Sequence, residues 1–419
     1  MDGPSPVQDR QTIGGDVHDL SQPVHDSGAG LDGSSAIRFV FERVRVALIS
    51  FHRGGMAHYA AMLSRSLCLG TTGVRVALFV ADDFQRDGLP DGVQVFRYPV
   101  PHRLAVREAR VWCRAPVVLN TFWRDLTRWC PDVVHFNSGH VWYLPLIRRI
   151  QRNYATVYTL HDAHPHPGES RWTGWLKRAA LLRRADQIIV HSEAIRTQAI
   201  QLPGVQSART TVIPCGLLQL PMPKDQEPAE QANQLVLPGR IYAYKGYEVM
   251  LEALPRVAAA CPDVRLTIAG EGNLRPWMPV IQQQADRIRV INRFLAEEEL
   301  VQLMQMASIV VLPYWEASQS GVALLASACG KPVIASRVGA LADVVEHGAT
   351  GLLVSAGRAD ELADAIIDLL RDPSRRQSMG EAGKALNEQR YGPDAIGPQL
   401  RERYERVIQR RPLTCPRLD

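Results

Sequence analysis

Residues 309–354 read IVVLPYWEASQSGVALLASACGKPVIASRVGALADVVEHGATGLLV, and this stretch predicts the fold. The β-branched run Ile309–Val311 predicts a short strand, and a polar loop follows it. Apolar residues at helical spacing begin at Val322. A second strand pattern begins at Val333, after a glycine and a proline that predict the end of the helix. The order strand, loop, helix, strand is that of a βαβ unit, which requires a parallel sheet.

The loop between that strand and that helix is the first candidate binding site. In open α/β sheets, ligands bind beyond the carboxyl ends of the strands, and a helix N-terminus offers unpaired N–H groups to an anion. Residues 318–322 are therefore predicted to hold a phosphate. Glu316 lies at the mouth of the same loop and would repel a phosphate, so we expect it to accept hydrogen bonds from a neutral polyhydroxyl group. A phosphate beside a sugar fits both expectations.

Length and composition limit the class of protein. A chain of 419 residues that is 46% hydrophobic and 22% charged is long enough for two domains and a large core. The formal net charge of +5 is too small to indicate a dedicated nucleic-acid-binding protein, and it suits a phosphorylated ligand. The sequence contains neither an 18-residue apolar run nor a basic-then-apolar N-terminal signal. We therefore expect neither a membrane span nor secretion by the standard route.

The cysteines give no sign of a disulfide framework or a metal site. There are seven of them, an odd number, and they are scattered without a CxxC pair. This usage is typical of a reducing, cytoplasmic setting. We expect no bound metal and no resident cofactor.

Composition divides the chain into a tail, two αβ series and a linker. Residues 1–43 are rich in Asp, Gly, Ser and Pro, so they are predicted to be a disordered tail. The first αβ series covers residues 44–216 and the second covers residues 234–392. Between them, residues 217–233 carry three prolines and no periodicity, so they are the predicted linker. Residues 393–419 form a C-terminal segment with one further predicted helix.

The first αβ series supplies a glycine turn and two histidines near strand ends. Gly54 and Gly55 follow the first buried strand, and they let the backbone approach a ligand closely, although a tight turn alone would also explain them. His161 directly follows a predicted strand, where the ligands of α/β sheets bind, so a functional role is favoured over a structural one. For His135, near another strand end, the two alternatives have equal weight.

Two neighbouring stretches leave alternatives open. Residues 171–185 predict a basic amphipathic helix with two tryptophans, which could lie on an anionic membrane or cover an ordinary core. The core alternative is favoured. His164 and His166 alternate with prolines, and a substrate loop is favoured there over a metal site, because no carboxylate or cysteine pattern completes such a site.

The second αβ series adds cations and a glycine pair to the same predicted crevice. Arg240 follows a strand end and Lys245 precedes a helix, so both can reach residues 318–322. Two cations beside a helix N-terminus could neutralise a diphosphate. The segment Gly270–Gly272 also follows a strand, and although a GxG alone is weak evidence for a nucleotide, it repeats the strand-end position.

Taken in order, these motifs resemble those of the retaining glycosyltransferases of family 4, also called glycosyltransferase group 1. The resemblance covers about residues 44–410, and the ordered set is far more specific than any one member. It implies the α/β GT-B architecture, in which two Rossmann-like parallel-sheet domains face a central cleft and the last helix crosses back onto the N-terminal domain. The motifs are Gly54-Gly55, Thr159-x-His161-Asp162, Ile213-Pro214-x-Gly216, Gly239-Arg240-x4-Lys245-Gly246, Ala269-Gly270-x-Gly272, Glu316-x2-Gln319-Ser320-Gly321, Gly330-Lys331-Pro332-Val333 and Gly351-Leu352-Leu353-Val354.

The resemblance also implies the roles of the candidate site residues. Arg240 and Lys245 would hold the diphosphate of a nucleotide-sugar donor without a metal. His161 would touch the donor sugar, and Glu316 would contact its hydroxyls. The acceptor, a saccharide, a lipid-linked saccharide or a small-molecule natural product, would bind the N-terminal domain. The donor-binding candidates are Gly54, Gly55, Gly270, Glu271, Gly272, Arg293, Phe294, Gln319, Ser320, Gly321, Val322 and Leu325.

One departure from the family pattern leaves alternatives open. Leu325 stands where the family usually carries a second glutamate that contacts the ribose, so the identity of the nucleotide stays open. The QSG loop with an apolar residue at this position looks like a recognisable subgroup. One alternative is a nucleotide-sugar epimerase of similar fold, but it would need acid and base carboxylates that the pattern does not supply. The other alternative is an inactive glycosyltransferase-like binding subunit, and Leu325 is the only residue that suggests it. We expect no nucleic-acid partner, and a cytoplasmic protein for which peripheral contact with the inner membrane face through residues 171–185 stays open.

Overall fold

The computed structural model describes residues 43–52, 55–84, 88–100, 113–163, 179–216, 228–317 and 321–411. Within these ranges the chain forms two parallel β-sheets covered by helices. The predicted disordered tail, most of the predicted linker, Gly54, the loop with His164 and His166, and residues 318–320 lie outside the described residues. The fold prediction of two Rossmann-like parallel sheets is confirmed.

The first sheet has its strand order reversed at its centre. Its strands lie in the order β3-β2-β1-β4-β5-β6-β7, and every pair is parallel. They are β1 (Val44–Ser50), β2 (Val74–Ala81), β3 (Gln94–Tyr98), β4 (Val133–Phe136), β5 (Ala155–Thr159), β6 (Gln187–Val190) and β7 (Thr210–Val212). The helices of this half are α1 (Gly55–Leu69), α2 (Ala115–Trp129), α3 (Leu144–Asn153) and α4 (Glu193–Ala199).

The second sheet repeats this arrangement with six strands. They are β8 (Gln234–Pro238), β9 (Arg265–Ala269), β10 (Ile288–Ile291), β11 (Ile309–Leu312), β12 (Val333–Ser336) and β13 (Gly351–Val354), in the order β10-β9-β8-β11-β12-β13. The helices are α5 (Tyr247–Ala260), α6 (Met278–Gln283), α7 (Glu297–Met306), α8 (Gly321–Ala328), α9 (Leu341–Val344), α10 (Ala359–Arg371), α11 (Pro373–Tyr391) and α12 (Pro393–Gln409). The switch points, where ligands bind in such sheets, lie between β1 and β4 and between β8 and β11.

The central strands are buried on both faces, which explains their nearly continuous apolar sequences. In β1, Val46 and Leu48 join the hydrophobic cluster on one face, while Ala47 and Ile49 join the cluster on the other. All four residues of β11 are buried, and this strand pairs with β8 on one side and β12 on the other. The predicted βαβ unit is thus β11, α8 and β12.

The last helix lies against the first half of the chain. α12 packs on α1 and follows directly from α11, which packs on α8 of the second half. Its Tyr404 is fully buried, and the Tyr404 hydroxyl lies 2.7 Å from Nδ1 of His135 in β4. A buried hydrogen bond at this distance fixes the rotation of the helix about its axis.

Three observations concern the cysteine, membrane and metal expectations. Cys130, which ends α2, is in a disulfide bond, so the expectation of a chain without disulfides is wrong at this position. Scattered spacing in sequence carries no information on which thiols meet in space. Among the described residues, no helix combines the length and the apolar character needed to cross a membrane. The same residues contain no group of three or more His, Cys, Asp or Glu side chains that could hold a metal ion.

Candidate functional site

Lys245 is the most enclosed charged residue of the predicted crevice. It ends a short 3₁₀ turn, Ala243–Lys245, and only 5% of it is exposed. Its Nζ donates to the Tyr314 hydroxyl at 2.9 Å and lies 3.5 Å from the carbonyl oxygen of Pro238. Burial and, to a smaller extent, the charge of the nearby Arg240 together lower the pKa of Lys245 to about 7. The lysine therefore titrates near neutral pH, and an incoming anion would favour its charged form.

Gly239 shows how closely this ammonium group approaches the backbone and α8. Its φ of +103° is rare for residues with a side chain. A Cβ atom here would lie 2.6 Å from Nζ of Lys245 and 3.6 Å from Cγ2 of Val322, in the first turn of α8. The structure thus brings together Lys245 and the N-terminal turn of α8, as the sequence analysis expected.

Arg240 is the second cation of the crevice, and its guanidinium group is exposed. It stacks over the ring of Tyr242 at 5.1 Å and donates to the Tyr242 hydroxyl at 3.3 Å. Within the described part of the chain, neither Arg240 nor Lys245 forms an ion pair with a carboxylate. Two positive charges without a carboxylate partner beside a helix N-terminus form a ready site for an anion.

The loop that follows β11 is tied to the turn that carries Lys245. The backbone N–H of Trp315 donates to the carbonyl oxygen of Tyr244 at 2.8 Å, and that of Ala340 donates to Ala317 at 3.2 Å. Between them lies Glu316, whose carboxylate is exposed and makes no hydrogen bond to a described residue. This carboxylate is fixed at the mouth of the crevice by its neighbours and is available to a ligand.

Residues from both halves of the chain surround Tyr244. Burial raises the pKa of the Tyr244 hydroxyl. Arg240 opposes this shift, whereas Asp162 of the first half and Glu316 of the second half add to it. Because such effects fade with distance, Asp162 lies within electrostatic range of Tyr244. The strand end that carries His161 and Asp162 therefore faces the crevice.

The ends of β9 and β10 form a separate wall of the crevice. Asn292 fixes Gly272 by two hydrogen bonds of 3.1 Å, accepting from the glycine N–H and donating to its carbonyl oxygen. Arg293 is committed to a bidentate ion pair with Glu299, at 2.6 and 2.8 Å. Phe294, next in the chain, is 68% exposed. An exposed aromatic ring beside a fixed glycine backbone is a suitable surface for a planar base.

Neither Leu325 nor Gly55 has a polar side chain that could contact a ligand. Leu325 is only 3% exposed and packs in the hydrophobic cluster around α8, so the structure places it in the core. Gly55 is the first residue of α1. Gly54, Gln319 and Ser320 lie outside the described residues, and so does the part of the predicted basic helix before residue 179.

His161 has both ring nitrogens engaged within the first half of the chain. Its Nε2 lies 2.8 Å from the carbonyl oxygen of Asn137, and its Nδ1 lies 3.2 Å from Nε2 of His191. His191 in turn donates through Nδ1 to the carbonyl oxygen of Ile213 at 3.0 Å. The ring of Tyr59 packs against both imidazoles, with centroid distances of 4.7 and 5.1 Å.

His135 is a structural residue. It is fully buried between the hydroxyls of Tyr404 and Thr159, each 2.7 Å away. Burial lowers the pKa of His135 to about 3, so the imidazole is neutral. Both hydroxyls can donate or accept, so a neutral ring satisfies both contacts.

A cavity of about 260 Å³ lies between the two halves, on the side of His191. His191 and Cys215 line it from the first half. Leu324 and Asp343 line it from the second half. The cavity shows that His191 reaches the boundary between the halves, although the sequence analysis did not select it.

Sequence reasoning missed four residues that position the site. His191 and Asn137 each follow a strand of the first sheet, as His161 does, so the strand-end rule that selected His161 would also have found them. Tyr314 and Asn292 follow β11 and β10 in the same way. Their partners, Lys245 and Gly272, are distant in sequence, and no local sequence pattern indicates such pairs.

Comparison with known proteins identifies both halves. Residues 54–216 match the glycosyl transferase 4-like domain, and residues 232–372 match the domain of the glycosyl transferases group 1. The chain is therefore built from two glycosyltransferase domains. The boundary between the two matches falls in the segment that the sequence analysis selected as the linker.

Two relatives illustrate the range of the sequence similarity. The glycogen synthase of Mycobacterium tuberculosis is 31% identical over 273 residues, which cover 61% of this chain and 64% of that protein. The match thus spans less than two thirds of its length. The D-inositol 3-phosphate glycosyltransferase of Kribbella flavida is 28% identical over 392 residues, which cover 81% of this chain and 90% of that protein.

Solved structures of low identity share the fold. The sucrose-phosphate synthase of Thermosynechococcus elongatus superimposes with a TM-score of 0.66 at 23% identity, over 88% of this chain and 100% of that one. HepE of Anabaena, solved in complex with UDP and glucose, gives a TM-score of 0.64 at 20% identity, over 86% of this chain and 99% of that one. The fold is the GT-B architecture.

Proposed function

We propose, from the premise that this chain is built of two glycosyltransferase domains, that it transfers a sugar from a nucleotide-sugar donor to a hydroxyl group. The acceptor would be a saccharide, a lipid-linked saccharide or a small natural product. The observation that carries the proposal is the crevice in which Arg240 and Lys245, without carboxylate partners, lie beside the first turn of α8. That arrangement suits the diphosphate of the donor.

The charges of the crevice match the charges that develop in the reaction. The anomeric C–O bond of the donor breaks, negative charge grows on the departing diphosphate, and positive charge grows on the sugar ring. Arg240, Lys245 and the N-terminus of α8 stabilise the departing group without a metal ion. The acceptor oxygen forms the new bond to the anomeric carbon. In a retaining reaction the departing phosphate receives the acceptor proton on the same face of the sugar.

The placement of the donor follows from the same residues. The base would lie against the Gly270–Gly272 backbone and the exposed ring of Phe294, with the diphosphate at Lys245 and the sugar at Glu316. Glu316 supports this placement because its carboxylate is exposed and uncommitted among the described residues. HepE was solved with UDP and glucose, and this makes uridine nucleotides the first donors to test.

The two halves would divide the work between acceptor and donor. In this proposal, residues 44–216 bind the acceptor, residues 234–392 bind the donor, and residues 217–233 link the two. A contact with a membrane through residues 171–185 is not part of the proposal. The described end of that segment buries Leu181 and Leu182 in the core and exposes Arg183 and Arg184 to solvent, as an ordinary surface helix does.

The test is a donor and acceptor screen with the full chain and detection by mass spectrometry. Uridine, guanosine, adenosine and thymidine diphosphate sugars are each incubated with and without pooled acceptors. Free sugar with nucleoside diphosphate, or a glycosylated acceptor, supports the proposal. An altered sugar still attached to its nucleotide would indicate an epimerase, and binding without turnover would indicate an inactive binding subunit. The coupling constant of the anomeric proton in the product then tests retention.

A further inference from the structure

His161 and His191 form a continuous row of contacts between two backbone carbonyl groups. The row begins at the carbonyl oxygen of Ile213, passes through both imidazoles, and ends at the carbonyl oxygen of Asn137. Its three distances are 3.0, 3.2 and 2.8 Å, all within hydrogen-bond range. Both ends of the row are acceptors that cannot donate.

The number of protons in this row is fixed by its ends. Because each carbonyl oxygen only accepts, Nδ1 of His191 and Nε2 of His161 must both carry hydrogen. The contact between the rings needs one more hydrogen, on either nitrogen. Three N–H groups on four nitrogens are one more than two neutral imidazoles supply. With only two, the inner nitrogens would face each other with lone pairs at 3.2 Å, or one ring would point a lone pair at a carbonyl oxygen.

The side chain of Asn137 cannot supply the missing hydrogen. Its Nδ2 donates to the Ser50 hydroxyl at 3.0 Å and to the carbonyl oxygen of Met56 at 2.6 Å. Its Oδ1, an acceptor, therefore faces Nε2 of His161 at 3.2 Å. Nε2 of His161 thus has two oxygen acceptors in front of it, and this strengthens the requirement for hydrogen on that atom.

We propose that His161 and His191 together hold one proton more than two neutral rings, shared across their mutual contact, and that His191 is the positioning residue of His161. The proton fixes both rings, because each nitrogen then has a defined partner. His161 is held at the strand end that faces the crevice, with Asp162 next to it.

The groups around the pair act in opposite directions on its proton. Burial lowers the pKa of His191 to about 3 and also lowers the pKa of His161. The charges of His161 and His135 also lower the pKa of His191, and that of His52 lowers the pKa of His161, whereas the two carbonyl groups and Asp162 favour the proton. The ring of Tyr59 makes edge contacts with both imidazoles and encloses them. Because the two rings are coupled, their lowered pKa values belong to the pair and not to either ring. One extra proton for the two rings together is enough to complete the row of hydrogen bonds.

The matched control is His135, which is fully buried and needs no extra proton. Its two partners are hydroxyls, and these adapt to a neutral ring. A count of protonated ring nitrogens therefore separates the two cases. His135 should show one, and the His161 and His191 pair should show three.

The decisive experiment is nitrogen NMR of the full chain labelled with ¹⁵N-histidine, at pH 6.5, with and without saturating UDP. Variants His135→Gln, His161→Gln and His191→Gln assign the signals. Three protonated nitrogens for the pair in the UDP-bound protein support the proposal. Two in both states, with a neutral ring at each position, overturn it. This count needs no turnover, so it stands or falls separately from the proposed transferase activity.

The kinetic consequence rests on the proposed function. His191→Phe keeps a ring of similar size but leaves Nδ1 of His161 without a partner, and we expect kcat to fall about tenfold, the effect of one lost hydrogen bond, with the donor KM little changed. His191→Gln can donate to Ile213 and accept from His161, so it should restore kcat to within about threefold of the wild-type value.

The pH profile distinguishes positioning from mere packing. In the wild-type protein kcat should decline as pH rises and the shared proton leaves, and this decline should be absent in His191→Phe and present in His135→Gln. Melting temperatures, with activities normalised to folded protein, control for stability. An unchanged pH profile of kcat in a folded His191→Phe variant would contradict a positioning role.

Discussion

The ionisable side chains at the strand ends of the two sheets differ in the partners that the protein supplies to them. In the first sheet, every ring nitrogen of His135, His161 and His191 has a partner supplied by the same half of the chain or by α12. In the second sheet, Arg240 and Lys245 have hydroxyl, carbonyl and aromatic partners but no carboxylate among the described residues. The histidines of the first sheet have their partners within the protein. The second leaves positive charge uncompensated.

This difference indicates which half is prepared for an anion. A buried ammonium group without a carboxylate costs free energy in the empty protein, and the cost appears as the lowered pKa of Lys245. Binding of a diphosphate removes that cost, so part of the binding free energy is already stored in the fold. Burial also lowers the pKa values of the histidines of the first sheet, but their ring nitrogens have partners within the protein, so their expected effect is on geometry.

The largest expected effect comes from removing either cation of the second sheet. Arg240→Ala and Lys245→Ala should each lower kcat/KM by about 10²-fold or more, the size of one preorganised transition-state charge partner. Steady-state kinetics with the donor found in the screen measure this, and circular dichroism checks the fold.

Lys331→Ala is the matched control, because Lys331 already has a carboxylate partner, Glu230, at 2.8 Å. Its loss should leave kcat/KM within about twofold of the wild-type value, because Lys331 precedes β12 and so lies at the edge of the sheet opposite the strand ends that form the crevice. Near-wild-type rates in both Arg240→Ala and Lys245→Ala would remove the clamp from the mechanism.

The pH dependence of UDP affinity should sharpen the comparison. The pKa of Lys245 is about 7 in the empty site, and a bound diphosphate raises it. Above pH 7 the lysine must take up a proton to bind, so affinity should fall by up to about tenfold for each pH unit. Below pH 7 the lysine is already charged, so this dependence levels off.

Calorimetric titration with UDP between pH 6 and pH 9 measures the slope. Lys245→Met removes the titrating group and should bind more weakly, with a flat profile over the same range. A steep decline above pH 7 that persists in Lys245→Met would assign the proton to another group.

The sequence predicted elements whose hydrophobic period is regular. The unit β11, α8 and β12 was predicted from the sequence, because β-branched runs and helical spacing are local signals. α2 and α3 were missed. α2 follows a segment without clear periodicity, and three arginines and a glutamine interrupt the short apolar pattern of α3.

Residues of the candidate site could be predicted only where they follow the end of a predicted strand. Lys245 and Glu316 could be selected because each follows a strand and precedes a helix. Tyr314 as the partner of Lys245, and His191 as the partner of His161, depend on strands that become neighbours only in the folded sheet. The disulfide of Cys130 was missed because sequence spacing does not show which cysteines meet in space.

His161→Ala should have a smaller effect than the clamp variants, and of a different kind. UDP affinity should stay nearly unchanged, because the proposed diphosphate contacts belong to the second sheet, whereas the transfer rate should fall about tenfold. Both nitrogens of His161 have buried partners, so we also expect the free energy of unfolding to fall by about 1 to 3 kcal/mol.

Melting temperature, UDP affinity and transfer rate on the same variant separate these contributions. A large fall in melting temperature with normal specific activity of the folded fraction would make His161 a purely structural residue. His135→Ala is the comparison, since it should destabilise the protein without changing the specific activity of the folded enzyme.

The smallest expected effect is that of a metal chelator. In enzymes that use a divalent ion, the ion offsets the negative charge that grows on the departing diphosphate. In the proposed site, Arg240, Lys245 and the N-terminal turn of α8 would lie where that charge develops, so a divalent ion would compete with the two cations for the same phosphate oxygens. Activity should therefore survive EDTA, with a change of less than about twofold, in protein assayed after dialysis and again with added Mg²⁺ or Mn²⁺. Complete loss on chelation, restored by either ion, would mean that the uncompensated cations of the second sheet are insufficient, and the contrast between the two sheets would then need the metal as a third component.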